Sequence, residues 1–291
     1  MADKNWVNVK AINRKCPICG KPDWCMISVD QKAVICNRIS DGCVRHLPSG
    51  ASLHLLSGSS VYRKLPLIPD KQLPSGQQSN IDWKKVLESY FVEIDSLSQL
   101  SDELGVSIKS LVLLGCGKTP KGGWSFPMRD ANERVIGCMV RGAFGRARGR
   151  KWCYKGSRLG LFIPFGIKDQ IAKLILGGID HPLLFITEGA SDTASAIDVG
   201  YPAVGRHNCS HGNEMIAEFV RGLPVKVVVM ADSDGPGLLG ANSLCRHLKG
   251  ICRSVVVHPP FAKDIRSWVQ AVGKETVRIQ LDQMGWKDEE I

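Results

Sequence analysis

The sequence contains no long hydrophobic run, since none of its apolar stretches approaches the roughly 20 residues that a membrane-spanning helix requires. Residues 1–6 also lack the apolar core of a signal peptide. We therefore expect an intracellular protein that has no membrane partner. At 291 residues, the chain is long enough for about two domains with a substantial core.

A complete phosphate-binding P-loop is missing as well. Residues 115–119 are similar to the end of this motif, but its first glycine would fall on Val112. Pro120 also interrupts the helix that should follow the loop. The sequence therefore predicts no helicase motor.

Cysteine is abundant, with 11 in the chain, and an odd number cannot all pair in disulfides. In an intracellular protein they are better interpreted as metal ligands and free thiols. Cys16 and Cys19 are separated by two residues and followed by glycine, which is typical of a zinc knuckle because glycine allows the tight turn. Cys36 is a third predicted ligand. The spacing leaves the fourth ligand open among Cys25, Cys43, His46 and His54.

Two aspartates follow an apolar run in the last third of the chain. Residues 227–230 are apolar throughout, as in a parallel strand that is covered on both faces, and Asp232 and Asp234 come soon after them. Ligands bind at the carboxyl ends of strands in open α/β sheets, and paired carboxylates suit Mg²⁺ or Mn²⁺. The alternative is a strand-to-helix turn in which one aspartate caps the next helix. That alternative accounts for one aspartate and leaves the other as a neighbouring negative charge with nothing to balance it.

A second apolar run, residues 183–186, is also followed by an acid, Glu188. Predicted helices and a short strand alternate between the two runs, which is the pattern of a parallel sheet with βα connections. Parallel strands with right-handed crossovers end at one edge of the sheet. We therefore expect Glu188, Asp232 and Asp234 to share a catalytic metal site.

Positive charge is concentrated ahead of the acids. The net charge of the chain is +10, with the largest excess of Lys and Arg in residues 61–180 and a slight excess of Asp and Glu in residues 181–291. After a predicted β-hairpin, residues 141–158 contain basic and aromatic side chains but no acid, a composition typical of nucleic-acid binding. A solvated loop is the alternative interpretation. The candidate nucleic-acid- or nucleotide-binding residues are Arg141, Arg146, Arg148, Lys151, Trp152 and Lys155.

Residues 181–272 resemble the Toprim domain that bacterial-type primases, topoisomerases and some nucleases share. An acid and a glycine follow one strand, an Asp-x-Asp motif follows a later strand, and Lys-Asp precedes a helix-like segment. Asp192 follows Glu188 by four residues, as in the primase form of the first motif. The resemblance implies that Asp192 and Asp264 are additional metal-binding or catalytic acids. The alternatives are that Asp192 is favoured only by the dipole of a first helical turn and that Asp264 caps a helix. The motif residues are Glu188, Gly189, Asp232, Asp234, Lys263 and Asp264.

The preceding segments are similar to primase elements in the order in which primases carry them. The cysteine-rich module resembles zinc ribbons of phage and mobile-element primases, and this resemblance favours Cys25 over Cys43 as the fourth zinc ligand. It departs from the replicative primase pattern, which has a histidine in the first ligand pair. The basic segment is similar to the small subdomain ahead of the primase Toprim domain. That similarity implies that Arg141, Lys151 and Lys155 hold template backbone or the nucleotide triphosphate.

The expected fold is an α/β Toprim domain, a parallel sheet with flanking helices, at residues 181–291. We expect a small α+β basic subdomain at 81–180, a linker at 59–80 and an N-terminal zinc ribbon at 1–58 to precede it. The resemblance thus implies a bacterial-type DNA primase of a phage or mobile element, located in the cytoplasm of a bacterial or phage-infected cell.

The activity that the resemblance implies is DNA-dependent RNA primase, a nucleotidyltransferase of DNA replication. Such an enzyme synthesises short primers on single-stranded DNA from nucleoside triphosphates, with catalytic Mg²⁺ or Mn²⁺ and a structural zinc ion. A replicative helicase is a further expected partner. The alternatives are a Toprim-type metal-dependent nuclease and a non-catalytic nucleic-acid-binding regulator.

Overall fold

Two structural units follow one another along the chain, at residues 1–78 and 79–291. The computed structural model of the protein describes residues 6–47, 51–56 and 81–284. The predicted linker therefore lies outside the described residues. Among the helices that are described, none is long and apolar enough to cross a membrane.

The first unit is built on a five-stranded antiparallel sheet. A tight turn joins its second and third strands, and Gln31 in that turn has a φ of 58°, in the left-handed region. Val9, Ile27 and Val34 are buried and pack with cysteine side chains in the core. The strands are β1 (Trp6–Asn8), β2 (Met26–Ser28), β3 (Ala33–Cys36), β4 (Arg45–His46) and β5 (Ser52–Leu55), in the sheet order β1-β2-β3-β5-β4.

A mixed sheet forms the centre of the second unit. Its described strands are β6 (Gly117–Lys118), β7 (Trp124–Arg129), β8 (Val135–Arg141), β9 (Lys151–Cys153), β10 (Leu161–Phe162), β11 (Leu183–Glu188), β12 (Ala203–Arg206), β13 (Lys226–Met230) and β14 (Ser254–Val257). The sheet order is β14-β13-β11-β12-β10-β7-β8-β9, with β6 paired to β7. The pairs among β11, β12, β13 and β14 are parallel, and the other pairs are antiparallel. The parallel strands and the basic segment therefore share one sheet.

Helices cover both faces of the parallel strands. The described α-helices are α1 (Trp83–Glu88), α2 (Ser98–Leu104), α3 (Ile108–Leu113), α4 (Ile167–Leu176), α5 (Ala190–Val199), α6 (Asn213–Val220), α7 (Gly235–Leu248), α8 (Ile265–Val272) and α9 (Lys274–Gln283). Val227 and Val229 of β13 lie in a core with α6 and α7, whereas Val228 lies in a second core with α5, α8 and α9. This burial on two sides explains why β13 is apolar throughout.

The predicted parallel strands ahead of the acids are confirmed. Residues 183–186 lie in β11 and residues 227–230 in β13, and the two strands are parallel neighbours with Ile186 opposite Val229. The residues that are similar to the end of a P-loop have a different place in the fold, because Gly117 and Lys118 form β6 and pair with β7.

Candidate functional site

Four cysteines of the first unit meet at one point. The sulfur atoms of Cys16, Cys19, Cys25 and Cys36 lie within 4.8 Å of one another. The Sγ–Sγ distance is 3.7 Å between Cys19 and Cys25 and 3.9 Å between Cys25 and Cys36. A tetrahedral zinc ion with Zn–S bonds of about 2.3 Å requires sulfur separations of about 3.8 Å, whereas a disulfide requires about 2 Å. The four thiols therefore fit a structural zinc ion.

A tight turn and an arginine shape this cysteine cluster. Gly20 has a φ of 68°, and its N–H donates a 2.8 Å hydrogen bond to the carbonyl oxygen of Cys16, which closes the turn. The Arg38 guanidinium lies 3.9 Å from the sulfur atoms of Cys19 and Cys25. Burial raises the pKa of Cys19, but hydrogen bonds from its neighbours, Arg38 among them, outweigh this effect and lower the pKa to about 7. A thiol that ionises near neutral pH is suited to metal ligation, whereas burial raises the pKa of Cys16 and Cys25, whose protons a bound ion would displace.

Two other candidates for the fourth zinc ligand, Cys43 and His54, lie outside this cluster. Cys43 is not among the four cysteines that meet. His54 is buried, and its Nε2 atom lies 2.9 Å from the carbonyl oxygen of Ile39. The side chain of His46 is outside the described residues. The structure thus groups Cys25, and not Cys43, with the other three cysteines.

The three predicted catalytic acids lie at the carboxyl edge of two adjacent parallel strands. Glu188 is the last residue of β11, and Asp232 and Asp234 follow β13. Asp234 is also the N-cap of α7, and its Oδ1 atom accepts a 2.8 Å hydrogen bond from the Gly237 N–H. The capping interpretation therefore holds for Asp234. It leaves the other carboxylate oxygen of this residue available to a ligand.

These acids are close enough to repel one another. Burial raises the pKa of Glu188, and the charges of Asp232 and Asp234 raise it further, against the opposing charge of Arg206. Burial also raises the pKa of Asp232, with Lys263 opposing the shift and neighbouring acids adding to it. Like charges at this proximity favour the binding of a cation.

The donor atoms suit a hard divalent ion that keeps part of its water shell. Among the described residues, only the four cysteines each place one ligand atom within 4.8 Å of all the others, so the acids do not form a closed cage. Mg²⁺ is usually bound by one or two carboxylates together with waters and substrate phosphates. Clustered carboxylates at the open edge of a sheet fit this mode of binding.

The two further predicted acids belong to the same cluster. Asp264 caps α8, where its Oδ1 atom accepts a 2.7 Å hydrogen bond from a backbone N–H of the first turn. Asp192 is buried in the first turn of α5. Burial and the charges of Asp264 and Asp232 raise the pKa of Asp192 to about 8, although Lys151 and Arg266 oppose the shift.

The raised pKa of Asp192 predicts a dependence of stability on pH. An Asp carboxyl ionises at about pH 3.9 in an unfolded chain, whereas this one does so at about 8 in the folded protein. The folded state therefore holds the extra proton between these values, and its stability falls as the pH rises, by at most about 1.4 kcal/mol per pH unit from this group. Urea unfolding of zinc-loaded wild type and Asp192→Asn, in buffer without Mg²⁺ or Mn²⁺, should show a stability difference that grows in favour of the variant between about pH 4 and pH 8. A constant difference would contradict the prediction.

Three cations that are not among the predicted site residues lie close to the acids. The Lys263 Nζ atom lies 3.6 Å from Asp232 Oδ2, and the Arg266 Nε atom lies 3.7 Å from Asp192 Oδ1. Arg206 is the last residue of β12 and is almost completely buried at the same edge of the sheet. The rule that strand ends carry the site would have included Arg206. Lys263 and Arg266 lie on either side of the predicted acid Asp264 along the chain.

The cations of the basic segment divide into paired and unpaired side chains. The Nη2 atom of Arg141 lies 2.8 Å from a carboxylate oxygen of Glu103, and Arg148 lies 3.4 Å from the other oxygen. Arg146 and Lys155 are exposed and form no ion pair with any residue that the structure describes. The side chain of Trp152, in β9, is also exposed.

Lys151 connects this segment to the acids. It is the first residue of β9 and pairs with Arg141 of β8. Its Nζ atom lies 3.5 Å from the position that a Cβ atom on Gly189 would occupy, and Gly189 follows Glu188 directly. The charge of Lys151 also lowers the pKa of Asp192. The basic segment and the acid cluster therefore meet at one surface.

Similarity to known proteins is found at the level of structure. No protein-family model matches the sequence, and no curated protein matches it. The structure of the DnaG primase catalytic domain bound to ssDNA matches with a TM-score of 0.51 and 17% identity, over 69% of this chain and 76% of that one. The Aquifex aeolicus primase structure, with its zinc-binding and RNA polymerase domains, matches with a TM-score of 0.54 and 15% identity, over 97% of this chain and 80% of that one. This chain therefore has a primase-like fold, with a mixed sheet and a cluster of four cysteines that fits zinc.

Proposed function

We propose that this protein is a DNA-dependent RNA primase of the bacterial type, which synthesises short primers on single-stranded DNA from nucleoside triphosphates. The observation that supports this function best is the meeting of the acid cluster with Lys151 of the basic segment, within a primase-like fold. In this proposal residues 181–291 form a Toprim domain, 81–180 a basic subdomain, 59–80 a linker and 1–58 a zinc ribbon.

The acid cluster would carry the chemistry. Glu188, Asp232 and Asp234 would hold the catalytic Mg²⁺ or Mn²⁺, with Asp192 and Asp264 beside them. When bound, the divalent ion neutralises charge on the phosphates and lowers the pKa of the attacking 3′-hydroxyl. The reaction joins the 3′-oxygen of one nucleotide to the α-phosphorus of the next and releases pyrophosphate. The carboxylates contribute by position, because strand ends and helix caps fix them before the substrate arrives.

The cations would hold the substrates. Lys151 is the residue best placed to bind the triphosphate, because its ammonium group lies beside the acids. Arg146 and Lys155 are free to bind template phosphates, and bases can stack on the exposed ring of Trp152. Arg141 would contact phosphate while sharing its charge with Glu103.

Removing an unpaired cation should weaken the binding of single-stranded DNA in a salt-dependent way. Each lost phosphate contact lowers the slope of log affinity against log salt by about 0.7, so Arg146→Gln and Lys155→Gln together should lower it by about 1.4. Fluorescence anisotropy across a salt series measures this slope. The matched control is Lys249→Gln. This exposed lysine follows the last residue of α7, about 21 Å along the helix from the end that Asp234 caps. Equal slopes for the double variant and the control would refute the assignment.

Primer synthesis tests the proposed function. The full chain, given a mixed-sequence single-stranded template, Mg²⁺ and labelled nucleoside triphosphates, should produce template-dependent dinucleotides and longer products. Labelled DNA incubated with metal but no nucleotides should stay intact, and its shortening would indicate a nuclease. Salt-sensitive DNA binding without either reaction would indicate a non-catalytic regulator.

A further inference from the structure

Two buried acids of the cluster share one arginine. Arg266 lies in the first turn of α8, with its Nε atom 3.7 Å from Asp192 Oδ1 and its Nη2 atom 4.0 Å from Asp264 Oδ2. The carboxylate side chains are 10% and 12% exposed, so both acids are largely withdrawn from solvent, and the Arg266 side chain is 27% exposed. Asp192 Oδ1 and Arg266 Nε are buried and have no hydrogen-bond partner in the part of the chain that is described.

The position of Arg266 is unfavourable for the helix that carries it. The N-terminus of a helix bears partial positive charge, which disfavours a cation in the first turn. Asp264, and not Arg266, provides the helix cap. Attraction to the two acids therefore explains the presence of an arginine at this position better than stabilisation of α8 does.

The other half of the cluster is open and carries a movable cation. Lys263 is 65% exposed, and its Nζ atom lies 3.6 Å from Asp232 Oδ2. Asp234 is exposed as well. A lysine on a flexible stem can move away when an ion or a phosphate arrives. The half around Glu188, Asp232 and Asp234 can thus accept a ligand, whereas a guanidinium fills the half around Asp192.

We propose that Arg266 acts as a built-in cation between Asp192 and Asp264, so that the site binds one divalent ion, at Glu188, Asp232 and Asp234, instead of two. This inference rests on the metal site of the proposed function. A guanidinium remains charged at every accessible pH, so it would repel a divalent ion placed between the same two carboxylates. Arg266 is a positioning residue in this view, since it replaces an ion and does not contact the reacting atoms.

The number of bound Mn²⁺ ions tests this role directly. Electron paramagnetic resonance of the zinc-loaded full chain, titrated with Mn²⁺ at the same pH for every variant, should show about one Mn²⁺ per wild-type chain. Arg266→Gln should bind about two, and Arg266→Lys, which keeps the charge, about one. Lys263→Gln is the matched control: it removes a nearby positive charge outside the Asp192–Asp264 pair and should leave the number at about one.

A double variant locates the second ion. Adding Asp192→Asn to Arg266→Gln should return the number of bound ions to about one. Two Mn²⁺ ions in the wild type would overturn the proposal, as would one in an Arg266→Gln chain whose zinc content and circular dichroism match those of the wild type. The primase assignment fails separately. If the wild type makes no primer but Arg266→Gln still raises the number of bound ions from one to two, the role of Arg266 stands without the primase assignment. If the wild type makes primers but binds two ions, the primase assignment stands without the role of Arg266.

Discussion

Replacing Asp232 by asparagine should lower the rate of nucleotide incorporation by at least about 10³-fold, while the affinity for single-stranded DNA changes by less than about twofold. Asparagine has nearly the shape of aspartate but lacks the charge that holds a divalent ion. Asp232 lies at the acid edge, whereas the unpaired cations that would bind DNA lie on the basic segment. Primer synthesis and anisotropy measurements on the same preparation separate the two effects.

The stability of the same variant distinguishes a catalytic role from a structural one. Asp232 raises the pKa of Glu188 by repulsion, so removing its charge relieves strain between acids. With zinc bound but without Mg²⁺ or Mn²⁺, Asp232→Asn should therefore be at least as stable as the wild type in urea. Incorporation within about tenfold of the wild-type rate would contradict the assignment.

Asp234 provides a matched comparison because it has two roles. It caps α7 and belongs to the acid cluster. Asparagine is as good an N-cap as aspartate, whereas alanine costs about 1 kcal/mol at this position. Asp234→Asn and Asp234→Ala should thus lose activity alike and differ in stability. A variant that keeps full activity as asparagine and loses it as alanine would show that only the cap matters.

The acids at the strand ends could be predicted because their signal is local. A strand buried on both faces is apolar at every position, so residues 227–230 and 183–186 identify β13 and β11, and the acids that follow mark the edge. The parallel pairing of these strands, observed with Ile186 opposite Val229, then brings the acids together.

The ion pairs of the cations could not be predicted in the same way, because their partners are remote along the chain. Arg266 meets Asp192 only because α5 and α8 pack on the same face of the sheet. Glu103 withdraws Arg141 from solvent although the two residues lie in different elements. A sequence shows which side chains can carry charge. The fold determines which of these side chains form ion pairs within the protein and which are available to a ligand.

The choice of Cys25 over Cys43 depends on strand register, which the spacing of cysteines does not contain. The pairing of Met26 with Ile35 places Cys25 beside Cys36 at the end of the β2–β3 hairpin. Cys43 lies beyond that hairpin. The spacing alone therefore left both residues open as ligands.

Removing zinc should unfold the first unit and leave the second unit folded. The first unit has few large buried side chains besides its cysteines, so its apolar core contributes little free energy. A structural zinc ion contributes about 10 kcal/mol or more to such modules. The second unit holds its own cores on both faces of its sheet. Amide resonances in a two-dimensional NMR spectrum should collapse for residues of the first unit after chelation and persist for those of the second.

Single cysteine substitutions should distinguish a zinc ligand from a cysteine outside the cluster. Cys25→Ser replaces a thiolate at the centre of the cluster by a weak ligand, so zinc content should fall from about one ion per chain to near zero and the first unit should unfold. Cys43→Ser, the matched control, should keep about one zinc ion because this thiol lies outside the cluster. Zinc retained by Cys25→Ser but lost from Cys43→Ser would reverse the ligand assignment. Loss of zinc in both variants would mean that the two cysteines each contribute to the fold that holds the ion.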